Sequence, residues 1–249
     1  MTHSPESARE NWGSDGEDRL GSLAGNRFLA RLSPREVRSL TQKSERVTFD
    51  CGDVIFRPGE SARYVYFPEK AVISLLATME DGRAVEVGVT GAEGLLEIHS
   101  ILGAGGYLYE GLVDIAGSCL RMEATLFKEE FERGGALHAQ TLNYLRYVLV
   151  QVRQTAACNR LHRVRQRLAR RLLMIQDRVK KDEFPMTHEA LSYVLGTPRP
   201  EVSFAAEALR VFGMIGSGRG KVTILDREAL ESASCECYKV IHREFLSLN

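Results

Sequence analysis

The sequence lacks any apolar run near the roughly 20 residues that a helix needs to cross a membrane. Cysteine is also scarce: the five present are an odd set without the spacing of a disulfide framework. That usage is typical of a reducing compartment, so we expect a cytoplasmic protein. The start, MTHSPESARENWGSDGEDRLGS, is polar and acidic without an apolar h-region, so we expect a disordered tail at residues 1–24 rather than a signal peptide.

Positive charge is missing from one long stretch, since residues 84–120 contain neither lysine nor arginine. The whole chain of 249 residues is neutral, but its charge is uneven. Residues 1–158 carry 17 Lys and Arg against 22 Asp and Glu, whereas residues 159–249 carry 16 against 11. The length suggests two domains. The charge predicts that the C-terminal part is attracted to phosphate and the N-terminal part is not.

Residues 184–226 contain several residues that mark the ends of helices and the turn of a hairpin. Thr187 is predicted to cap a helix, Gly196 to end it at a positive φ, and Pro200 to open a second helix. A hairpin from Met214 to Leu225 follows, with its turn at residues 218–221. The pattern predicts a helix-turn-helix followed by a wing, with a plain helical hairpin in a core as the alternative.

The second of these helices has an apolar stripe and a polar face. Apolar residues recur at helical spacing on the buried side. Three residues then face outward near the helix start: Arg199, Ser203 and Phe204. A short helix that exposes an Arg near its first turn suits insertion into a DNA major groove.

Short β-prone runs fill residues 47–122 and are separated by Gly-containing turn signals. The runs are 47–49, 53–56, 64–67, 71–77, 84–89 and 112–115. Strands of this length at this spacing predict an all-β sandwich or barrel.

A helix is predicted from about Ala136 to Ala157. Apolar residues alternate steps of three and four along it, as in a coiled coil: Leu142, Leu145, Leu149, Val152 and Ala156. We expect this seam to be a dimer interface, with packing on the same domain as the alternative.

Residues 160–181 follow with seven Arg and two Lys against Asp177. Apolar residues line one face of this predicted helix: Leu161, Val164, Leu168, Leu172 and Ile175. Two interpretations of its charges remain open, a solvated face or contacts with DNA phosphates.

These patterns together resemble the bacterial cyclic AMP receptor protein / fumarate–nitrate reduction regulator (Crp/Fnr) family. The resemblance rests on the helix-turn-helix segment and, upstream, on VYFPEKAVISLL, MEDGRAVEVGVTGAEG and CNRLHRVRQRLARRLL. It implies an α+β protein with a jelly-roll sensor barrel (residues 25–134), a dimerisation helix (135–158) and a winged helix-turn-helix (159–249). It also implies a homodimer on a palindromic double-stranded DNA operator, with RNA polymerase as a further partner.

The resemblance assigns roles to single residues. Arg199 aligns with the family's recognition Arg, which can donate two hydrogen bonds to guanine, and Ser203 and Phe204 lie beside it. Thr187, His188, Arg219 and Lys221 are the expected phosphate contacts. Pro200 stands where the namesake regulators usually have Glu, and Phe204 replaces a later basic residue, so the operator sequence stays open.

The sequence lacks the residues that bind the family's usual ligands. A cyclic phosphate buried in a barrel needs a cation, and the cassette region instead offers Glu97 and Glu110. We therefore expect no cyclic-nucleotide binding, and the effector is unknown. A cyclic-nucleotide-responsive regulator is the alternative.

Cofactors and metals are likewise not expected. An iron–sulfur cluster needs four thiolates, and the cysteines are scattered. We interpret Cys235 and Cys237 as surface or semi-buried thiols of a C-terminal helix, with a redox switch as the alternative. Haem would need an axial ligand, and His99 is the one barrel histidine, but a lone histidine is more often structural. A cupin-type metal enzyme with an appended DNA-binding domain, an alternative interpretation, needs clustered His and Glu ligands, which His99 alone does not provide. We expect no catalytic activity.

Overall fold

The computed structural model describes residues 25–103 and 105–248, so the predicted tail at residues 1–24 lies outside it. The described chain forms two compact units. The first unit contains residues 25–73, 90–146 and 248, and the second contains residues 74–89 and 147–247.

The strands are β1 (Ser44–Phe49), β2 (Val54–Phe56), β3 (Tyr64–Pro68), β4 (Val72–Thr78), β5 (Ala84–Thr90), β6 (Glu110–Ile115), β7 (Gly117–Glu123), β8 (Glu183–Pro185), β9 (Ile215–Gly218) and β10 (Lys221–Ile224). The helices are α1 (Pro34–Gln42), α2 (Ala124–Glu132), α3 (Gly135–Leu161), α4 (Val164–Val179), α5 (His188–Leu195), α6 (Arg199–Val211), α7 (Arg227–Ala233) and α8 (Glu236–Ser247).

The first unit is built on antiparallel strand pairs. β7 lies between β1 and β3, with Val47 opposite Cys119 and Phe67 opposite Leu120, and β2 pairs with β6. Burial does not alternate strictly along these strands, since the four residues of β3 from Val65 to Pro68 are all buried. An aromatic core of Phe28, Phe67 and Phe127 fills the interior. These strands belong to the predicted β-sandwich or barrel, although β7 was not among the predicted runs.

The second unit is organised around α4. Every residue of α4 from Arg167 to Arg178 is buried, because other elements of the unit surround the helix. It contacts α6 and α7, while β10 pairs between β8 and β9 to form a small sheet. The strands β4 and β5, joined by a turn at Met79–Gly82, contribute residues 74–89 to the same unit.

The basic segment 160–181 differs from the prediction. It is not one helix: α3 ends at Leu161, α4 begins at Val164, and Leu161 is 74% exposed instead of lying on the apolar face. Four of its arginines are buried and hydrogen-bonded inside the protein, neither solvated nor open to DNA: Arg167, Arg170, Arg171 and Arg178. Each of these guanidinium groups donates at least one hydrogen bond to an acceptor in this unit, which offsets part of the cost of its burial.

Helix α3 has two opposite faces. One face is buried and consists of Tyr144, Tyr147, Gln151, Thr155 and Cys158. The other face is the predicted apolar seam, in which Leu142 is 47%, Leu149 45% and Val152 38% exposed, with Ala156 exposed and Leu145 half-buried. In the described part of the chain, none of the helices combines the length and the apolar character that membrane spanning demands.

Candidate nucleic-acid interface

The turn between α5 and α6 is fixed by local hydrogen bonds. Thr187 caps α5, with its hydroxyl accepting from the Ala190 amide at 3.0 Å. Gly196 ends α5 at φ 55°, as predicted, and the Thr197 amide donates to the Ser192 carbonyl at 3.1 Å. The turn therefore has a single conformation imposed by the sequence.

Helix α6 separates its buried and exposed residues as predicted except at Ser203, which was expected to face outward and is half-buried against His188. Val202, Ala205, Ala206 and Leu209 are buried. Phe204 is 80% exposed and Arg199 lies in the exposed first turn, where its side chain is 67% exposed. The helix starts one residue before Pro200, so the proline sits at the second position, where its missing N–H costs no hydrogen bond.

Arg199 and Ser203 have neighbours on α5. The Arg199 Nε lies 3.6 Å from a carboxylate oxygen of Glu189, and both side chains are largely exposed. An exposed ion pair of this kind is weak, so the guanidinium is available to a ligand. The Ser203 hydroxyl lies 3.0 Å from Nδ1 of His188, which joins a predicted base contact to a predicted phosphate contact.

The wing is a tight hairpin of β9 and β10. Arg219 and Gly220 form its turn with φ values of 52° and 77°. Two successive positive φ values characterise the type I′ turn, which suits a two-residue hairpin. Both Arg219 and Lys221 are exposed at its tip, and the Lys221 ammonium donates to Glu183 at 2.8 Å.

The structure brings the four predicted phosphate contacts to one place. The Met186 amide donates to the Gly220 carbonyl at 2.8 Å, which holds the wing turn against the start of α5. Thr187 and His188 at that helix start therefore lie beside Arg219 and Lys221. A helix N-terminus next to two cations is a favourable site for a phosphate.

Arg167 supports this interface from the interior, a role that the sequence did not reveal. Its guanidinium donates to the Leu195 carbonyl and, at 3.3 Å, to the Thr197 hydroxyl. A cation at the C-terminal end of α5 is favourable for the helix dipole, and the contact fixes the turn before α6. A spacing pattern could not have identified it, since a buried and an exposed Arg look alike in sequence.

A second buried network attaches the C-terminal helices to α4. The carboxylate of Asp177 accepts from Arg227 at 2.8 Å and from the Tyr238 hydroxyl at 3.0 Å. His242 lies 2.9 Å from the same carboxylate. Asp177 thus joins α7 and α8 to the helix that supports the interface.

The barrel has an acidic interior where a cyclic phosphate would need a cation. Glu97 is 1% exposed, precedes the short 3-10 helix Ile98–Leu102, and has a left-handed φ of 68°. Burial raises the pKa of Glu97 to about 7. Residues 84–120, which include Glu97, contain no Lys or Arg that could pair with a buried phosphate.

Two cysteine expectations need correction. Cys235 and Cys237 are 3% and 1% exposed, so they are core residues rather than surface or semi-buried thiols. The cysteines are not all scattered either, because Cys158 lies 3.5 Å from Cys235, sulfur to sulfur.

Comparisons with known proteins agree with this architecture. Two family models match the sequence, a cyclic nucleotide-binding domain at residues 46–133 and a Crp-like helix-turn-helix domain at residues 166–233. A comparison with curated proteins found no match.

Solved structures show the same fold at low identity. FixK2 from Bradyrhizobium japonicum is 16% identical, with 77% of this chain and 98% of that chain covered at a TM-score of 0.65. TTHB099, a CRP family transcriptional regulator from Thermus thermophilus, is 22% identical, with 76% and 96% covered at 0.62. The c-di-GMP responsive regulator CLP of Xanthomonas campestris is 16% identical, with 82% and 98% covered at 0.59. With a barrel and a winged helix-turn-helix that both match their family models, the chain belongs to the Crp/Fnr family of DNA-binding transcription regulators.

Proposed function

We propose that this regulator acts as a homodimer on a palindromic operator, with Arg199 at a guanine in each half-site. The observation that carries the proposal is the exposed first turn of α6, flanked by the residues of α5 and the wing that are predicted to contact phosphates. Arg199 can donate two parallel hydrogen bonds to guanine O6 and N7. Ser203 and Phe204 lie on the same face and would meet neighbouring bases.

The dimer is supported by the exposed seam of α3. Leu142, Leu149 and Val152 are large apolar side chains that are between 38% and 47% exposed in a single chain. Their spacing suits a second copy of the same helix. Two copies related by a two-fold axis would present two α6 helices to successive major grooves.

The sensor barrel is proposed to respond to an effector other than a cyclic nucleotide. The buried carboxyl of Glu97 and the absence of Lys and Arg from residues 84–120 support this. We propose a regulator without catalytic activity that works in the cytoplasm, together with RNA polymerase.

A route from the dimer helix to the DNA-reading helices runs through the second unit. Arg178 of α4 donates to the Tyr147 hydroxyl of α3 at 2.9 Å and to the Val89 carbonyl at 3.0 Å. Gln151 of α3 accepts from the Val89 amide at 2.5 Å. Since Arg167 of α4 also holds the turn before α6, a shift of α3 would be transmitted to α6 by these contacts.

Selection of duplexes from a random library by the full-length protein tests the proposal. The expected product contains two inverted half-sites about one helical turn apart, each with a conserved G·C pair. A monomer that recovers no common sequence would overturn it.

Titration of cyclic AMP and cyclic GMP into the operator complex tests the effector proposal. The expected result is unchanged operator affinity. A tenfold increase with either nucleotide would show that the barrel binds it by another arrangement.

A further inference from the structure

Four potential metal ligands converge in the second unit. Cys158 lies near the end of α3, His162 follows one helical turn later, and Cys235 and Cys237 lie at the start of α8. Their ligand atoms all lie within 4.8 Å of one another. The Cys158 and Cys235 sulfurs are 3.5 Å apart, and the Cys237 sulfur is 3.5 Å from Nδ1 of His162.

This donor set and spacing match a single tetrahedral ion. Three thiolates and one imidazole form one of the standard structural zinc sites. Zinc–sulfur bonds of about 2.3 Å place the sulfurs of a tetrahedral site about 3.8 Å apart, close to the distances seen here. An iron–sulfur cluster places several irons and sulfides between its thiolates and needs ligand atoms further apart.

The groups around the cluster suit a bound cation. Nδ1 of His162 faces the sulfurs, while its Nε2 lies 3.3 Å from a carboxylate oxygen of Glu236. A carboxylate on the second ring nitrogen is the usual partner of a metal-binding histidine, because it fixes the tautomer and the ring orientation. Gln154 donates to the Cys237 sulfur at 3.2 Å, a hydrogen bond that favours the thiolate.

The charge of such a site is also balanced. Zinc with three thiolates carries one net negative charge. Arg170 lies close enough to Cys158 for its positive charge to act on that sulfur. Arg170 is itself 1% exposed, so a buried anionic site gives its guanidinium a counter-charge.

We propose that Cys158, His162, Cys235 and Cys237 bind one zinc ion per chain. All four positions are filled by protein and the three cysteines are buried, so the site is structural and leaves no place for a reacting water. The ion would join the end of the dimer helix α3 to the C-terminal helix α8. The proposal is independent of DNA binding.

A disulfide is the competing use of the same thiols. The sulfurs of Cys158 and Cys235 are 3.5 Å apart, where a disulfide bond would need about 2.05 Å. A disulfide would leave the convergence of His162 and Cys237 without a role. In reduced full-length protein the zinc proposal predicts five thiols and a bound metal.

The test is metal analysis of the full-length protein purified under reducing conditions from zinc-supplemented cells. We expect one zinc per chain, three sulfurs and one nitrogen by X-ray absorption, and tetrahedral thiolate spectra after exchange with Co²⁺. Protein that contains no zinc and takes up neither Zn²⁺ nor Co²⁺ would overturn the proposal. So would a Cys158–Cys235 disulfide in metal-free protein that persists under the reducing conditions.

Variants locate the ion. Cys237→Ser and His162→Gln are expected to lose stoichiometric zinc. Glu236→Gln is expected to weaken metal affinity about 10-fold or more, because the Glu236 carboxylate orients His162. Cys51→Ser is the matched control, an exposed cysteine outside the cluster that should retain one zinc. Full zinc retention in both ligand variants would also overturn the assignment. If they fail to fold, the Co²⁺ spectrum of the unmodified protein decides.

Discussion

Arg199 and Lys221 are both exposed cations at the interface, but they are expected to act differently. Arg199→Ala should weaken operator binding by about 1–3 kcal/mol and leave binding to random duplex nearly unchanged, because it removes a base contact. Lys221→Ala should weaken both equally and reduce the salt slope by about one. Fluorescence anisotropy with operator and scrambled duplexes at several salt concentrations measures both effects.

The matched control for Arg199 is Arg210→Ala on the same helix. Arg210 is exposed and paired with Glu207 at 2.6 Å at the far end of α6, so its loss removes the same charge without a proposed base contact. Sequence preference should survive. Equal losses on operator and scrambled DNA for Arg199→Ala would contradict the proposed orientation of α6.

Glu97 makes the stability of the barrel depend on pH. Burial raises its pKa from 4.5 to about 7, so between these values the folded state holds a proton that the unfolded chain has released. Stability therefore falls as the pH rises through this window and stays lower above it. Glu97→Gln should stabilise the protein by up to about 3 kcal/mol at about pH 8 and far less at about pH 5.

Urea denaturation at the two pH values tests this prediction. Glu110→Gln, on β6 of the same unit, is the matched acid-to-amide control. A gain for Glu97→Gln that is the same at both pH values would argue against a buried, titrating carboxyl.

Among the secondary-structure elements, α4 depends on an ion pair that is buried inside the second unit. Arg171 is fully buried, pairs with Glu86 of β5, and donates to the Ser74 hydroxyl of β4 at 2.8 Å. Arg171→Met should destabilise the second unit by about 3–5 kcal/mol because it leaves a buried carboxylate without its cation. The double variant Arg171→Met/Glu86→Leu should recover much of that loss.

Thermal or urea unfolding of the single and double variants measures this coupling. Arg165→Met removes an exposed charge from the same helix and should change stability little. A double variant as unstable as Arg171→Met would show that the cost comes from lost packing and not from the orphaned charge.

The elements that could be predicted from sequence are those fixed by their own residues. Thr187, Gly196 and the Arg219–Gly220 turn each specify backbone geometry within a few positions, so the helix-turn-helix and the wing were predicted correctly. The buried arginines of α4 could not be assigned, because their acceptors lie far away in sequence: Arg171 meets Ser74, 97 positions earlier. Periodicity gives the face of a helix but not what covers it.

For the whole molecule, the proposed dimer depends on the seam of α3. Leu149→Asp should place a charge at the centre of the proposed interface and convert the dimer to a monomer, with operator affinity reduced at least about 10-fold by the loss of paired half-sites. Sedimentation and anisotropy on one preparation measure both. Arg153→Asp changes an exposed residue of the same helix outside the seam and should remain dimeric, whereas a dimeric Leu149→Asp protein would place the interface elsewhere.

The cysteine cluster shows why part of the candidate sites escaped prediction. Cys235 and Cys237 alone have too short a spacing for a familiar zinc motif, and their partners lie 77 and 75 positions away. The one local signal was the spacing of Cys158 and His162, four residues apart and thus on one side of a helix. Tertiary folding, not sequence proximity, assembles this donor set.

Different segments of the proposed interface have different roles. In the proposed complex, the start of α5 and the wing contact the DNA backbone, whereas a few outward positions of α6 discriminate between bases. The inner side of α6 is buried through Val202, Ala206 and Leu209. The operator specificity of such a regulator can therefore change while its contacts with the DNA backbone are kept. Exchanging those few outward residues is a route by which duplicated copies in one genome would diverge to different promoters while keeping the same scaffold.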